Sequence, residues 1–143
     1  LARKRPEIVF GADLIAGFPF ENEEMFENTL NLIEECGLSF LHVFPYSVRE
    51  GTAAAKFPQL DIGLRKKRAK ILRLFGNFSR ERLFNNFLNK NVRVLIEENN
   101  TGYTEHFIPI RSNVAIKPGT IQNFKVLSYD QFKLIGVPVE NKQ

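Results

Sequence analysis

Two short, densely apolar runs are the feature that most constrains the fold of this chain. The first is IVFGADLIAGF at residues 8–18, and the second is LSFLHVF at residues 38–44. Neither run alternates between apolar and polar residues, which favours strands buried on both faces of a parallel sheet. Pro19 and Pro45 end them.

The stretch between the two runs has the pattern of one amphipathic helix. Asn22 is a candidate N-cap, and Phe26, Leu30 and Ile33 share one face at helical spacing. Gly37 follows as a candidate C-terminal stop. Strand, helix and strand within 40 residues predict a parallel βαβ unit, and therefore an α/β fold.

From about residue 64 the pattern is helical again and continues to about residue 88, as one or two helices. Ile71, Phe75 and Phe78 recur at helical spacing, and basic residues occupy the other face. Gly76 is a candidate kink.

The last 50 residues have the pattern of short β-strands separated by turns. Four runs are predicted as strands, and turn-forming residues separate them: 92–98, 103–111, 121–129 and 131–139. Such a series predicts a small antiparallel β-barrel or a half-sandwich. The predicted domains are therefore residues 1–88, which end in the basic helix, and residues 89–143.

The composition excludes several classes of protein. With 143 residues, 43% of them hydrophobic and 14 of them Phe, the chain can bury a core and is not disordered as a whole. Its one cysteine, Cys36, excludes a disulfide scaffold and any metal site that needs several cysteines from this chain. The chain contains no apolar run of about 20 residues, so no membrane span is predicted and a cytoplasmic location is expected.

The net charge of +4 is unevenly distributed. Residues 1–61 carry −5, residues 62–93 carry +9, and the remainder is neutral. Clustered basic residues attract phosphate backbones, although a solvated helix face gives the same pattern. The predicted RNA-binding residues combine this cluster with two aromatic residues of the β region: Arg65, Lys66, Lys67, Arg68, Lys70, Arg73, Tyr103 and His106.

Ligands of parallel α/β folds bind at the carboxyl ends of the strands, so the segments 17–21 and 44–52 are where a pocket is expected. For Gly17 and Glu21 the pattern leaves two interpretations, a ligand contact or a simple turn with an exposed carboxylate. Three other residues have structural interpretations. We expect His42 to be a core or edge residue, Cys36 a small buried filler, and Phe107 a barrel-packing residue.

Four stretches in a fixed order carry a family resemblance. They are GADLIAGFPFENEEMFENTLNLIEE, LHVFPYSVREGTAAA, KKRAKILR and GYTEHFIPI, which begin at residues 11, 41, 66 and 102. Together they resemble the C-terminal half of the radical S-adenosylmethionine methylthiotransferases. The HVFPYS form most resembles the branch that modifies threonylcarbamoyladenosine in tRNA.

The resemblance implies the last βα units of a partial parallel radical-enzyme barrel, followed by a TRAM domain, a small antiparallel, OB-like β-barrel that binds RNA. It implies a parent transferase that uses S-adenosylmethionine and two 4Fe–4S clusters to add a methylthio group to the hypermodified adenosine next to the tRNA anticodon. The cluster cysteines of the family lie upstream of the matching region, and Cys36 matches none of them. No cofactor is therefore expected on this chain alone.

The family motifs also assign sites to residues of this chain. The cofactor-binding positions implied are Ile15, Gly17, Glu21, Phe44 and Pro45, and the substrate-loop positions are Ser47, Arg49, Gly51 and Thr52. No catalytic residue and no metal ligand are implied. The chain departs from the family pattern where Phe20 replaces a usual Gly, Asn22 a usual Thr and Ala53 a usual Pro.

Three interpretations follow. The first is a portion of a tRNA methylthiotransferase that is inactive alone and whose partners are tRNA and, if it is separately encoded, the N-terminal portion. The second is an RNA-binding module without chemistry, and the third is a remnant of a split gene.

Overall fold

The computed structural model describes Lys4 and residues 7–139, and the chain divides into two compact units. The first unit is Phe10–Arg80. The second consists of the described residues before Phe10 and from Glu81 onward. The division into domains at residues 88 and 89 stays a prediction.

The first unit begins with the predicted parallel βαβ arrangement. Strand β1 (Phe10–Ala16) is followed by helix α1 (Glu23–Glu35) and strand β2 (Leu38–Pro45). The two strands pair in parallel, with Ile15 opposite Phe44. The parallel α/β character that the apolar runs predicted is therefore confirmed for this unit.

Helix α1 begins and ends where the sequence predicts. The side chain of Asn22 accepts a hydrogen bond from the backbone N–H of Met25 at 2.8 Å, as an N-cap does. Gly37 follows the helix in the left-handed region, at φ 62°.

Helix α2 (Ile62–Phe87) is one continuous helix, preceded by a short 3₁₀ helix at Ala53–Lys56. Asp61 caps it, because its carboxylate accepts the backbone N–H of Leu64 at 3.0 Å. The helix runs uninterrupted through Gly76, where close packing rather than a break explains the glycine. A Cβ built there would lie 2.9 Å from Cδ1 of Leu41.

Among the described residues of the first unit, only one face of the sheet is buried. The sequence predicted strands buried on both faces, so that prediction is correct for one face and wrong for the other. Ile15 and Phe44 remain 60% and 55% exposed on the opposite face of the sheet. The buried cluster lies on the helix side and consists of Ala16, Phe26, Ile33, Val43, Ala69 and Leu72.

The second unit contains a closed five-stranded barrel. Its strands are β3 (Asn91–Glu98), β4 (Thr101–Thr104), β5 (Pro109–Ser112), β6 (Ile121–Tyr129) and β7 (Leu134–Pro138). They close in the order β3-β4-β5-β7-β6. The prediction of a small barrel in this region is confirmed.

The prediction that this barrel is purely antiparallel was wrong. Strands β5 and β7 pair in parallel, with Ile110 opposite Leu134. Strand directions cannot alternate around a closed ring of five, so at least one neighbouring pair must be parallel. The fifth strand arises because the single run predicted at 103–111 is divided by a turn into β4 and β5.

The barrel core follows the two-residue period of its strands. In β3, Val92, Val94 and Ile96 point inward and are buried, and the residues between them are exposed. Phe124 of β6, in register with Val92, and Leu134 of β7 are also completely buried. Within Lys4 and residues 7–139, neither helix combines the length and the apolar character that crossing a membrane requires.

Candidate functional site

The carboxyl ends of β1 and β2 bring several predicted site residues together. Ile15 lies opposite Phe44, and Ala16 lies opposite Pro45. The backbone N–H of Tyr46 continues this ladder by donating to the carbonyl of Ala16 at 2.7 Å. Ile15 and Phe44 thus form an exposed apolar pair at the strand ends, where ligands of parallel sheets bind.

Gly17 and Glu21 enclose a tight turn directly after β1. The backbone N–H of Gly17 donates to Oε1 of Glu21 at 3.0 Å, and Gly17 has φ 76°. A Cβ at Gly17 would lie only 2.5 Å from Cγ of Arg65. The turn therefore requires glycine both for its backbone conformation and for the close approach of α2.

The buried guanidinium of Arg68 forms a salt bridge with the carboxylate of Glu21. Its Nη1 donates to Oε1 and to the backbone carbonyl of Glu21, both at 2.8 Å, and its Nη2 donates to Oε2 of Glu23 at 2.8 Å. The guanidinium also lies 5.1 Å from the ring centroid of Phe26. Glu21 is thereby a positioned structural carboxylate that joins β1, α1 and α2.

Phe20 takes the left-handed conformation at the position where the family usually has glycine. Its φ is 68°, and its ring, 59% exposed, lies 5.1 Å from the ring of Phe57. The glycine-like backbone conformation is thus retained in spite of the bulky side chain.

The loop after β2 presents the four predicted substrate-loop residues on the surface. Ser47, Arg49, Gly51 and Thr52 are all exposed. Thr52 Oγ1 donates to the carbonyl of Arg49 at 2.7 Å and accepts the N–H of Ala55 at 3.3 Å, so Thr52 caps the 3₁₀ helix. The structure brings these residues to the same end of the sheet as Ile15 and Phe44.

The basic residues of α2 fall into two groups. Arg65 donates to the carbonyls of Leu60 and Tyr46, at 2.8 and 3.2 Å, and Arg73 donates to the carbonyl of Val43 at 2.8 Å. Arg65 and Arg68 are buried. The second group consists of lysines that are exposed on the same helix, Lys66, Lys67 and Lys70. The basic pattern of the sequence does not distinguish these exposed lysines from the internal arginines.

Tyr103 and His106, both in the β4–β5 region of the barrel, line different pockets and contact different aromatic residues. Tyr103 is exposed and lies 6.5 Å, ring to ring, from Phe107. His106 is half-buried, and its ring lies 5.9 Å from that of Phe87. His106 belongs to a cavity of about 380 Å³ that Phe87 and Lys90 also line.

Two structural expectations were wrong. Phe107 does not pack in the barrel, because it has φ 59° in the β4–β5 turn and is 83% exposed. Cys36 is exposed rather than buried, because it follows α1 as its C-cap. His42 lies on the exposed face of β2, in register with Asp13.

Among the residues that the structure describes, no group of three or more His, Cys, Asp or Glu side chains could hold a metal ion. The sequence contains a single cysteine, whereas iron–sulfur clusters are held by several thiolates. The described residues therefore do not fit an iron–sulfur cluster, and no cluster chemistry is assigned to them.

Comparison with known proteins shows which family the chain resembles. The chain is 48% identical, over 127 residues, to threonylcarbamoyladenosine tRNA methylthiotransferase MtaB of Rickettsia prowazekii, a match that covers 89% of the chain. The chain fits a C-terminal portion of the tRNA methylthiotransferase family. This result confirms the resemblance seen in the sequence.

Other tRNA methylthiotransferases match as well. The enzyme of the same name from Aquifex aeolicus is 35% identical over 112 residues, which is 78% of the chain. A tRNA-2-methylthio-N(6)-dimethylallyladenosine synthase from Alcanivorax borkumensis is 37% identical over 98 residues, 68% of the chain. No family model matches the chain. The chain spans 30%, 27% and 22% of the lengths of these three methylthiotransferases.

Proposed function

We propose that this chain is the part of a radical S-adenosylmethionine tRNA methylthiotransferase that completes the cofactor barrel and holds the tRNA. The observation that carries the proposal is the 48% identity, over 89% of the chain, to a relative named for threonylcarbamoyladenosine in tRNA. The βαβ unit and the closed five-stranded barrel are consistent with the last βα units and the TRAM domain of that enzyme class. The proposal includes a cytoplasmic location for the chain, where tRNA is modified.

The apolar pair at the strand ends is the part of the chain that fits S-adenosylmethionine. The exposed side chains of Ile15 and Phe44 offer apolar surface to a flat adenine ring. The hydroxyl of Tyr46, which follows β2, is buried without a hydrogen-bond partner in the described chain. When bound, the cofactor supplies the radical chemistry, and the residues of this chain orient its nucleoside.

Glu21 has a positioning role in this proposal. Its carboxylate already accepts hydrogen bonds from Gly17 and Arg68, so it holds the turn after β1 in place. Glu21 and Gly17 thus shape the site through the backbone.

A chimeric enzyme tests the methylthiotransferase assignment. We replace the matching segment of the Rickettsia prowazekii relative with this chain and analyse the nucleosides of the tRNA by mass spectrometry. The chimera is expected to add the methylthio group to threonylcarbamoyladenosine. A folded, cluster-loaded chimera that modifies dimethylallyladenosine instead, or no tRNA, would contradict the proposal, provided that the unaltered relative is active.

The exposed lysines of α2 are proposed to bind tRNA phosphates. Neutralising Lys66, Lys67 and Lys70 to Gln is expected to lower the slope of log affinity against log salt by about 2 to 3, since each phosphate contact contributes about 0.7 to 0.9. The matched control replaces three lysines outside α2, Lys4, Lys56 and Lys117, with the same change in net charge. Equal slopes for the two triple variants would reject a localised tRNA contact on α2.

A second candidate is an RNA-binding module without chemistry. It is favoured by the exposed lysines of α2 together with the absence of a metal-ligand group among the described side chains. In both candidates the chain alone is inactive. Stoichiometric iron after cluster reconstitution of this polypeptide, together with cleavage of S-adenosylmethionine, would contradict that expectation.

A further inference from the structure

Phe107 is held in a conformation that phenylalanine rarely adopts, with no benefit to the barrel core. Its φ of 59° lies in the left-handed region, where a bulky side chain clashes with its own backbone. Its ring is 83% exposed, so burial does not compensate for the clash. Backbone strain of this kind is concentrated at functional sites, where a partner makes use of the displayed side chain.

The turn that carries Phe107 is braced on both sides. The hydroxyl of the buried Thr104 accepts the backbone N–H groups of His106 and Ile108, each at 3.2 Å. Two backbone hydrogen bonds close the same turn, from Phe107 to Thr104 at 2.9 Å and from Thr104 to Ile108 at 3.0 Å. The backbone of Phe107 is therefore held in this conformation before any partner binds.

An apolar row on the outer face of the barrel lies beside Phe107. Tyr103 pairs with Leu95 on one side and Pro109 on the other, and Leu95 pairs with Ile121. Tyr103, Leu95 and Ile121 are 42%, 41% and 59% exposed. We call these residues, Tyr103, Leu95, Ile121 and Pro109, the outer row.

Two guanidinium groups flank the outer row. Arg93 lies two residues before Leu95, and Arg111 two residues after Pro109, so strand alternation places both on the outer face. Both are exposed. Glu105, the acidic neighbour of Arg93, accepts the backbone N–H of Arg93 at 2.6 Å.

We propose that Phe107 and Tyr103 form a stacking platform for an unpaired nucleobase of the RNA, with Arg93 and Arg111 contacting the adjacent phosphates. Aromatic rings accept any base on their faces, and guanidinium groups beside them provide the charge complementarity that single-stranded RNA requires. An apolar protein surface could pack against the outer row, but it would provide no negative charge for Arg93 and Arg111. The platform rests on the proposed RNA-binding function and identifies the RNA element that it takes, an unpaired base.

The test uses the 143-residue chain and two RNAs with equal numbers of phosphates. One is a stem-loop with 2-aminopurine in a loop shaped like an anticodon loop, and the other is a fully paired duplex. Phe107→Ala is expected to weaken stem-loop binding at least fivefold and to reduce 2-aminopurine quenching, because base stacking is lost. Binding of the duplex is expected to be unchanged.

The matched control is Phe132→Ala, at another phenylalanine of the barrel unit that is 59% exposed, and it is expected to change neither affinity. Phe107→Gly tells a loss of stacking apart from a loss of stability, because glycine adopts a positive φ without strain. It is expected to weaken stem-loop binding as Phe107→Ala does, with a Tm no lower than that of the wild type. Phe107→Trp is expected to restore stem-loop binding.

Each contrary outcome has a defined meaning. If the wild-type chain binds neither RNA, the proposed RNA-binding function fails together with the platform. If the wild type binds both RNAs with the usual salt dependence and Phe107→Ala changes nothing, only the platform is overturned. Equal weakening of stem-loop and duplex by Phe107→Ala overturns it too, since stacking on an unpaired base cannot act on a duplex.

Discussion

Arg68 and Lys67 are neighbours in one basic run, but the fold gives them opposite environments. Arg68 is buried and holds the carboxylates of Glu21 and Glu23, whereas Lys67 is exposed. Arg68→Met is expected to lower the free energy of unfolding by about 3 kcal/mol, because it leaves the mostly buried Glu21 carboxylate without its cation. Urea denaturation of the chain, followed by circular dichroism, measures this loss.

The matched control for Arg68→Met is Lys67→Met, expected to change the free energy of unfolding by less than about 0.5 kcal/mol. Similar losses for the two variants would mean that Arg68 does not act as an internal partner of Glu21.

Gly17 and Gly51 share a positive φ but differ in their surroundings. A Cβ at Gly17 would meet Cγ of Arg65, whereas nothing lies within 4 Å of a Cβ at Gly51. Gly51→Ala is expected to cost about 1 kcal/mol from backbone strain alone. Gly17→Ala adds the overlap with Arg65 and is expected to cost about 3 kcal/mol in all, measured by urea denaturation. Equal costs would show that α2 relaxes away from the turn.

At the scale of elements, the hydroxyl of Thr104 braces the β4–β5 turn together with two backbone hydrogen bonds. Thr104→Val removes the acceptor for the N–H groups of His106 and Ile108 and is expected to cost about 2 kcal/mol in thermal unfolding. The control, Thr101→Val, removes only a donor to the carbonyl of Glu98 on the surface and is expected to cost less than about 1 kcal/mol. A harmless Thr104→Val would mean that the backbone hydrogen bonds alone hold the turn.

The elements that the sequence predicted well are those with a local cause. Helix α1 was predicted from its cap at Asn22 and its apolar spacing, and β6 from its run at 121–129, with the observed bounds. The division of 103–111 was missed because it depends on the side chain of Thr104 and on Phe107 in the left-handed region. The run YTEHFIPIR at 103–111 contains no Gly, Asn, Asp or Ser, so none of these common turn residues marks the turn.

At the scale of the whole molecule, the two units differ in how completely their strands are paired. The sheet of the first unit has two strands with one face open, whereas every barrel strand has two neighbours. Two-stranded sheets are only marginally stable, and closure removes edges.

We therefore expect amides of β3–β7 to stay protected from hydrogen exchange at urea concentrations where those of β1 and β2 exchange. Hydrogen-exchange mass spectrometry across a urea series measures this order. A single transition shared by all seven strands would contradict it.

The sequence by itself determined the parallel βαβ unit, the small barrel and the family resemblance, because apolar periodicity, helix caps and four ordered motifs are local properties of the chain. Only the tertiary structure decided which basic residues are internal and which are exposed. Arg65 and Arg68 become buried partners, and Lys66, Lys67 and Lys70 remain exposed, because one face of α2 packs on the βαβ unit. Ring closure likewise decided the parallel β5–β7 pair, since five strands cannot alternate around a closed barrel.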